Sequence, residues 1–246
     1  MQSARGVPLI VGVCGSQGSG KSTLCAELAE RFTRAGIETA VLSLDDLYLS
    51  RARRDELGRT VHPLLRTRGV PGTHDVELGL SVLDAFANGR GTVLPRFDKG
   101  SDDVAPEADW GWATPACRLL LFEGWCVGAR PQADADLVEP INDFERREDA
   151  DGRWRAYAND ALKDEYHGLF ARLGLLVLLV APSFDIVFAW RRQQEGALRE
   201  ATGSGMDDAE LARFVQHYER LTRHIIAEMP GRADVVIRLD EARRVV

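Results

Sequence analysis

The sequence predicts an α/β fold with a doubly wound, mostly parallel sheet. Short apolar runs of strand length alternate along the chain with longer stretches of helical periodicity, a pattern typical of βαβ units. A glycine-rich segment joins the first apolar run to the first helical stretch. The chain has 246 residues, 45% of them hydrophobic, which is enough to build one large core. We therefore expect a single domain over residues 1–246.

The first half of the chain alternates between the two periodicities. A buried strand over 7–13 is followed by a helix over 22–35, in which apolar residues recur at helical spacing until Gly36 ends the pattern. Residues 51–72 are polar and interrupted by prolines and glycines, so we expect mostly loop with room for one short helix. The other elements predicted here are strands over 39–44, 93–95 and 118–122 and a helix over 75–88.

The second half contains the longest apolar run, 173–181, which predicts a buried strand over 175–180. This run is far shorter than the roughly 20 apolar residues that a membrane helix needs, so no membrane partner is expected. Residues 131–160 carry mixed charges and few apolar side chains, and we expect an insertion there. The other elements predicted here are helices over 159–170, 184–199 and 207–228, a turn over 202–205 and a strand over 235–239.

Charge and cysteine usage narrow the function classes. The formal net charge is -7, so we do not expect a nucleic-acid binder that works by broad phosphate neutralisation. No basic stripe interleaved with aromatic residues occurs either. The four cysteines form no C-x-x-C pair, which argues against a zinc or redox motif and favours reduced thiols in a cytoplasmic protein. We expect no signal peptide, because no small-residue cleavage site follows an apolar core near the N-terminus.

The segment GSQGSGKST matches the pattern G-x-x-x-x-G-K-[ST], and it stands between a predicted strand and a predicted helix. Glycines let successive backbone N–H groups turn toward an anion, and the start of the following helix adds its positive end. The lysine reaches the β- and γ-phosphates of a nucleoside triphosphate, and the hydroxyl after it ligates magnesium. We therefore predict ATP with Mg2+, catalysis by Lys21, a metal ligand in Ser22, and nucleotide contacts from Gly15, Ser16, Gln17, Gly18, Ser19, Gly20, Lys21, Ser22 and Thr23.

Two predicted strands end in carboxylates that suit phosphoryl transfer. The apolar run LLLFEGW ends in Glu123, for which we predict magnesium binding, with a capping or surface role as the alternative. The strand over 39–44 runs into Asp45 and Asp46, close to the glycine-rich loop. We predict that Asp45 accepts the proton of an attacking hydroxyl and that Asp46 binds the acceptor. An N-cap or turn role is the alternative for both.

Arg191 and Arg192 follow the strand over 175–180 and lie within the predicted helix over 184–199. Arginines at this place can close over the transferring phosphoryl group and neutralise its developing charge. We predict a catalytic role for Arg191 and nucleotide binding for Arg192. The alternative is an exposed helix with ordinary arginine–glutamate pairs.

Two polar segments predict where a small anionic acceptor binds through charge-assisted hydrogen bonds. They are RTRGVPGTHDVELG, in an excursion around 51–75, and PRFDKGSDD, in an excursion around 95–115. In the alternative, Thr73 or Asp75 caps the helix over 75–88, and both roles can hold together. The predicted acceptor contacts are Asp46, Arg68, Thr73, His74, Asp75, Arg96 and Lys99.

The motifs GSQGSGKST, LSLDDLY, RGVPGTHD, LPRFDKG and LFEGW, in this order, resemble the D-glycerate 3-kinase group. That group belongs with the P-loop kinases related to phosphoribulokinase, uridine kinase and bacterial pantothenate kinase. The resemblance spans roughly residues 9–200. It implies the P-loop nucleoside triphosphate hydrolase fold and transfer of the γ-phosphoryl group of ATP to D-glycerate. It also implies that Asp45 is the base and that the region of Arg191 and Arg192 forms an arginine-bearing lid.

Other functions stay open on the residues alone. The same scaffold serves kinases for pantothenate, nucleosides or sugar phosphates, and a regulatory NTPase needs no small-molecule acceptor. A GTPase switch is disfavoured because the guanine motif N-K-x-D does not occur in the sequence. We expect a small-molecule substrate as the partner, and a protein that acts as a monomer or a homodimer.

Overall fold

The structure is a computed structural model that describes residues 7–202 and 205–246. The strands are β1 (Leu9–Gly15), β2 (Thr39–Ser43), β3 (Thr92–Leu94), β4 (Phe97–Asp98), β5 (Asp103–Val104), β6 (Gly111–Ala113), β7 (Leu119–Gly124), β8 (Leu175–Val180) and β9 (Val235–Arg238). The helices are α1 (Lys21–Arg34), α2 (Arg51–Thr60), α3 (Val76–Ala87), α4 (Asp143–Glu148), α5 (Arg153–Lys163), α6 (Glu165–Phe170), α7 (Phe184–Thr202) and α8 (Asp208–Glu228).

Five of these strands form a parallel sheet in the order β2-β7-β1-β8-β9. Strand β7 lies between β1 and β2, and the register places Glu123 beside Val13 on one side and Ser43 on the other. The loop after β1 and the Leu44–Leu47 turn after β2 therefore begin on either side of Glu123. Ligands of open α/β sheets bind at this carboxyl edge.

Side chains of the sheet alternate between its two faces, and each face carries its own core. Ile10 and Leu120 lie in one core, whereas Val11 and Leu121 lie in the other. Helices α3 and α6 contribute to the first core, and helices α1 and α7 contribute to the second. Helices thus cover both faces, and the α/β class predicted from the sequence is confirmed.

Helix α2 occupies 10 residues of the stretch 51–72, where the sequence predicts mostly loop. The side chain of Ser50 caps its start by accepting the backbone N–H of Arg53. Hydrophobic periodicity does not reveal this helix, because the residues that it buries are Arg54 and Gly58. Hydrogen bonds from Arg54 to backbone carbonyls of neighbouring loops hold this helix in place, where most helices use an apolar stripe.

The stretch 131–160, predicted as an insertion with few apolar side chains, contains α4 and the first part of α5. Its Phe144 and Trp154 are buried in a third cluster together with Leu65. The buried Asp149 carboxylate accepts the backbone N–H of Trp154 and so fixes the start of α5. A few large apolar side chains bury this segment, which its overall composition does not indicate.

The remaining boundaries differ from the predicted ones by smaller amounts. The helix predicted over 159–170 starts earlier and consists of two helices, because Asp164 has φ -100° and ψ -97° and interrupts the helical backbone. Helix α7 begins at Phe184 as predicted and continues to Thr202. The predicted turn over 202–205 lies partly outside the described residues. Each helix of the described chain is too short or too polar to cross a lipid bilayer.

Candidate active site

The glycine-rich loop connects β1 to α1, as the sequence predicts. Gly18 and Gly20 have φ values of 79° and 87°, in the left-handed region that glycine adopts without strain. A larger residue would not fit at Gly18, since an added Cβ would lie 2.7 Å from Cβ of Trp190 on α7. No described side chain caps the start of α1, so its first backbone N–H groups are open to an anion.

Two hydroxyls of this loop are buried without a hydrogen-bond partner in the described part of the chain. They belong to Ser16 and Ser19, whose exposed fractions are 7% and 4%. A buried hydroxyl without a partner is costly unless a ligand satisfies it. Together with the open N–H groups, the two hydroxyls form a cradle of donors that fits the phosphates of a nucleoside triphosphate.

Glu123, at the end of β7, lies directly against the start of α1. The Ser22 hydroxyl donates to Oε1 of Glu123 at 2.9 Å, and Nζ of Lys21 lies 3.9 Å from Oε2. Glu123 is buried, and its Oε2 accepts no hydrogen bond from any described residue. A hydroxyl and a half-satisfied buried carboxylate are oxygen donors of the kind that Mg2+ prefers beside phosphate oxygens.

Asp45 lies in the Leu44–Leu47 turn and is bonded to two side chains. Its carboxylate accepts Nζ of Lys99 at 2.6 Å and the hydroxyl of Tyr48 at 2.8 Å. Burial raises the pKa of Asp45, but Lys99, Lys21 and Tyr48 outweigh burial and hold this pKa below its usual value. Asp45 is therefore ionised at neutral pH, as a proton acceptor must be.

Asp46 links the same turn to the excursion around 95–115. Its carboxylate accepts Nη1 of Arg96 at 3.1 Å and the backbone N–H of Phe97 at 3.2 Å. Burial raises the pKa of Asp46 above its usual value, although Arg96 counteracts it. The predicted acceptor residues Asp46 and Arg96 are thus brought together, and their contact holds this excursion against the end of β2.

Arg68 lies against the same excursion. Its guanidinium pairs with Asp102 and lies 5.4 Å from the centroid of the Phe97 ring. Asp102 is also held by Arg54, which is 1% exposed and donates to the Asp102 carbonyl at 2.6 Å. Arg54 donates to two further backbone carbonyls, those of Leu49 and of Arg66, and Arg66 belongs to the excursion around 51–75. This arginine, absent from the predicted set, ties the two acceptor segments to each other.

Asp75 takes the capping role that the alternative describes, whereas Thr73 is bonded within its own loop. The Thr73 hydroxyl is fully buried and donates to the Val70 carbonyl at 2.7 Å. Asp75 caps α3 by accepting the backbone N–H of Leu78 at 3.0 Å, and it pairs with Arg53 at 2.8 Å. Both side chains therefore stabilise the loop that carries the residue between them.

That residue, His74, lies against Tyr48, and the two ring centroids are 4.6 Å apart. Its Nδ1 is hydrogen-bonded to the hydroxyl of Tyr166, and its Nε2 contacts no hydrogen-bonding group in the described chain. Burial lowers the pKa of His74 to about 4, although the charge of Asp45 opposes this shift. The imidazole is therefore neutral at pH 7, and Tyr48 connects it to the Asp45 carboxylate.

Arg191 and Arg192 pair with acids rather than with the phosphate cradle. Nη2 of Arg191 lies 2.8 Å from Oε2 of Glu195, and its guanidinium is 5.4 Å from the centroid of the Phe214 ring. The exposed Arg192 pairs with Asp208 at 2.8 Å. The arginine–acid pairs of the alternative are thus present in this structure.

Helix α7 nevertheless contacts the cradle one residue before Arg191. Trp190 is buried against Gly18, and Arg243 donates to the Gly18 carbonyl at 2.6 Å while its guanidinium covers the Trp190 ring. The positively charged Arg191 also acts on Tyr218 of α8, where it lowers a pKa that burial raises. Helix α7 therefore reaches the site from the side of the glycine-rich loop.

Three tyrosines around Asp45 and His74 are not among the residues predicted from the sequence. Tyr48 could have been predicted, because it stands in the motif LSLDDLY three residues after Asp45, to which its hydroxyl donates. Tyr166 and Tyr218 lie on helices far along the chain, and no motif in the sequence marks them as part of the site. The Tyr218 hydroxyl donates to the backbone carbonyl of Arg68 at 3.3 Å. Burial and then the charge of Asp45 raise the pKa of Tyr218 above its usual value, so this hydroxyl keeps its proton at neutral pH.

A cleft of about 560 Å³ opens between α2 and the start of α3. Its lining includes no residue of the phosphate cradle or of the turn after β2. Arg53, in its wall, is already paired with Asp75, and three further carboxylates line it, those of Glu56, Glu77 and Glu165. His74 also lines it, so the cleft borders the loop near Asp45, but its negative wall disfavours an anionic acceptor there.

The chain resembles several known proteins, although no protein-family model matches it. The uncharacterized kinase mug58 of Schizosaccharomyces pombe is 37% identical over 222 residues, which cover 87% of this chain and 79% of that protein. The chloroplastic D-glycerate 3-kinase of Arabidopsis thaliana is 31% identical over 96% of this chain, which spans about half, 53%, of the plant protein. The solved structure of D-glycerate 3-kinase from Cryptococcus neoformans has a TM-score of 0.78 at 24% identity, covering 97% of this chain and 88% of that one.

The match to the Cryptococcus structure shows a shared fold. The match to mug58 is one of sequence, and it covers most of both proteins. The relatives are kinases, and the site combines a phosphate cradle with an ionised carboxylate. The protein is accordingly a phosphotransferase that uses ATP and acts on a hydroxyl group. The chain belongs to the family of P-loop kinases that includes D-glycerate 3-kinase.

Proposed function

We propose that the protein transfers the γ-phosphoryl group of ATP to a hydroxyl of D-glycerate and so produces 3-phosphoglycerate. The observation that carries this proposal is the contact of Asp45 with Lys99, a proton acceptor and a cation 2.6 Å apart beside the phosphate cradle. A hydroxy acid presents a hydroxyl and a carboxylate within a few bonds of each other. Asp45 suits the hydroxyl, and Lys99 suits the carboxylate.

Binding of the acceptor would break the pair between Lys99 and Asp45 and form a new pair between Lys99 and the acceptor. Lys99 is 60% exposed, so it can turn from Asp45 to the carboxylate of the acceptor. Arg68 and Arg96 add two more guanidinium groups on the same segments, and Asp46 orients Arg96. The exchange leaves Asp45 free to accept a proton.

The nucleotide side of the reaction uses the loop after β1. Its N–H groups and Lys21 hold the phosphates, while Ser22 and Glu123 are the residues that would hold Mg2+. When bound there, Mg2+ would neutralise part of the phosphate charge. Arg191 and Arg192 have the role of neutralising the charge that develops on the γ-phosphoryl group.

The chemical step is a single displacement at phosphorus. Asp45 takes the proton of the acceptor hydroxyl as its oxygen forms a bond to the γ-phosphorus. The bond between this phosphorus and the oxygen that bridges to the β-phosphate breaks, and ADP leaves. Asp45 then returns the proton to solvent. The positions of Asp45, Lys21 and the N–H groups at one sheet edge support this division of roles.

The experiment is a panel of acceptors with purified protein and magnesium ATP. We expect D-glycerate to be phosphorylated with a kcat/KM at least about 100-fold above those of L-glycerate, glycerol, pantothenate, uridine and ribulose 5-phosphate. Phosphorus-31 NMR of the product identifies the hydroxyl that is modified. The expected product is 3-phosphoglycerate.

Two results contradict this proposal and separate it from its alternatives. Turnover of pantothenate, a nucleoside or a sugar phosphate without turnover of glycerate makes the protein a kinase for that other metabolite. Slow hydrolysis that no acceptor accelerates makes it a regulatory NTPase. The D-glycerate 3-kinase of Arabidopsis supports the glycerate assignment, whereas mug58 has no stated substrate.

A cytoplasmic location and a monomeric or homodimeric state are further parts of the proposal. The four cysteines support the first, because all of them are free and buried, as in a reducing compartment. Fractionation of cells and light scattering of the purified protein test the two statements separately.

A further inference from the structure

Tyr166 on α6 is completely buried beneath the loop that carries His74. Its hydroxyl oxygen accepts the backbone N–H of Gly72 at 3.1 Å. The same hydroxyl is hydrogen-bonded to Nδ1 of His74, and the two rings meet edge to face with centroids 5.7 Å apart. Tyr166 is thus the only described hydrogen-bond partner of the His74 ring.

The direction of the bond between these two side chains follows from hydrogen counting. Burial raises the pKa of Tyr166 well above its usual value, so the phenol keeps its proton. Gly72 N–H is a donor and cannot receive that proton. Nδ1 of His74 is the acceptor left in the described surroundings, and the opposite direction would leave a buried phenol proton without any acceptor. Tyr166 therefore donates to Nδ1.

An imidazole that accepts at Nδ1 and is neutral carries its proton on Nε2. His74 is 3% exposed, and Nε2 has no partner among the described residues. The other predicted acceptor contacts with polar hydrogens differ in this respect. Each of them already donates to the protein: Thr73 to the Val70 carbonyl, Arg68 to Asp102, Arg96 to Asp46 and Lys99 to Asp45. The Nε2–H group is thus a buried donor that the described residues leave unsatisfied.

The base and this donor belong to one rigid unit. The Tyr48 ring stacks on His74, and the Tyr48 hydroxyl donates to Oδ1 of Asp45. The backbones of Tyr48 and His74 also form a β-bridge. The charge of Asp45 acts on the imidazole across this short separation. A ligand atom that satisfies Nε2–H would therefore belong to a molecule close to Asp45.

We propose that Tyr166 fixes His74 in its Nε2–H tautomer and that this N–H donates to a carboxylate oxygen of the acceptor. Tyr166 is then a positioning residue that acts through His74. This inference rests on the proposed function, from which it takes the carboxylate. The donor adds selectivity, because an acceptor that lacks an oxygen at this place leaves Nε2–H unpaired.

The tautomer is measured directly by nitrogen-15 NMR of histidine-labelled protein without substrate. We expect the His74 signal, assigned by its loss in His74→Gln, to be that of a neutral ring protonated at Nε2. In Tyr166→Phe we expect a mixture of both tautomers. Tyr157→Phe is the matched control, because its ring packs on Gly72 but its hydroxyl makes no hydrogen bond to a described residue. A wild-type ring protonated at Nδ1, or an unchanged signal in Tyr166→Phe, overturns the inference.

Kinetics test the donor itself. For Tyr166→Phe and His74→Asn we expect KM for the acceptor to rise about 10-fold while kcat and KM for ATP change by less than about 3-fold, because the lost bond forms in the ground state. His74→Gln should keep most of the affinity, since its amide nitrogen can reach the place of Nε2, whereas that of Asn cannot. A merely structural role would make the Gln and Asn variants equal, and that result contradicts the donor.

The two proposals fail separately. Absence of glycerate turnover in the wild type overturns the proposed function, and the NMR experiment still decides the tautomer. The kinetic comparison is then made with whichever acceptor the panel identifies, and an acceptor without a carboxylate overturns that part of the inference. If Tyr166→Phe does not fold, the wild-type tautomer and the His74 variants decide the result.

Discussion

Nζ of Lys99 lies 2.6 Å from Oδ2 of Asp45, so a cation from the excursion around 95–115 is paired with a carboxylate that follows β2. The two residues are far apart in the sequence and belong to different predicted roles, base and acceptor contact. Their contact means that the pKa of the base and the binding of the acceptor depend on the same lysine.

Lys99→Ala should therefore change the pH profile as well as the affinity. Lys99 helps to hold the pKa of Asp45 below its usual value, so its loss raises that pKa. The base is active when ionised and loses activity as pH falls through its pKa. The acidic limb of the kcat/KM profile should then move to higher pH, and KM for the acceptor should rise. Lys99→Arg keeps the charge and is the control; an unmoved limb in the Ala variant contradicts the coupling.

Asp45→Asn should lower kcat by about 100- to 10,000-fold, the usual contribution of a general base. The amide keeps the size of the side chain but cannot take a proton. ATP affinity, measured by calorimetry, should stay within about 3-fold of the wild type. Near-normal turnover by this variant removes Asp45 from the role of base.

Lys21→Ala should abolish most of the phosphoryl transfer. Loss of a preorganised charge at the transition state costs about 3–4 kcal/mol, or a factor of several hundred in kcat. The stabilisation of the protein by magnesium ATP, measured as a shift in Tm, should also decrease. Lys163→Ala is the control, because Lys163 pairs with Asp134 and Asp160 on the surface. A wild-type Tm that saturating ATP leaves unchanged contradicts the nucleotide site itself.

Glu123→Gln should weaken the response to magnesium more than the response to ATP alone. The buried Oε2 of Glu123 is free of hydrogen bonds in the described chain, and a neutral amide attracts a cation less. The measurement is the magnesium concentration that gives half-maximal activity, which we expect to rise about 10-fold or more. Glu27→Gln on the exposed side of α1 is the control. Equal magnesium dependence in both variants removes Glu123 from the metal site.

Arg54→Met should destabilise the fold by about 3 kcal/mol, measured by urea unfolding. The substitution leaves three backbone carbonyls without their donor and one partner of Asp102 missing. Arg53→Met, next to it, removes a pair whose arginine is 63% exposed, and it should cost less than about 1 kcal/mol. Equal losses in the two variants would show that burial of Arg54 contributes nothing.

The phosphate cradle and the parallel sheet were predictable because their signals are local. The glycine loop needs small residues at adjacent positions, and buried strands need short apolar runs, so each can be read within a window of about ten residues. Such a window allows one short helix in 51–72 but does not give the extent of α2, and it does not reveal the buried helices of 131–160. Helix α2 buries an arginine and a glycine, and the stretch 131–160 is held by a few large side chains that contact distant parts of the chain.

The sequence by itself determined the α/β class, the nucleotide loop, and the carboxylates that follow β2 and end β7. Only the tertiary structure decided which cation faces which acid, that Asp75 caps α3, and that Tyr166 lies under His74. The physical reason is that hydrogen-bond partners are set by proximity in space, and residues such as His74 and Tyr166 are brought together by packing of α6 against α3. No periodicity along the chain records such a contact.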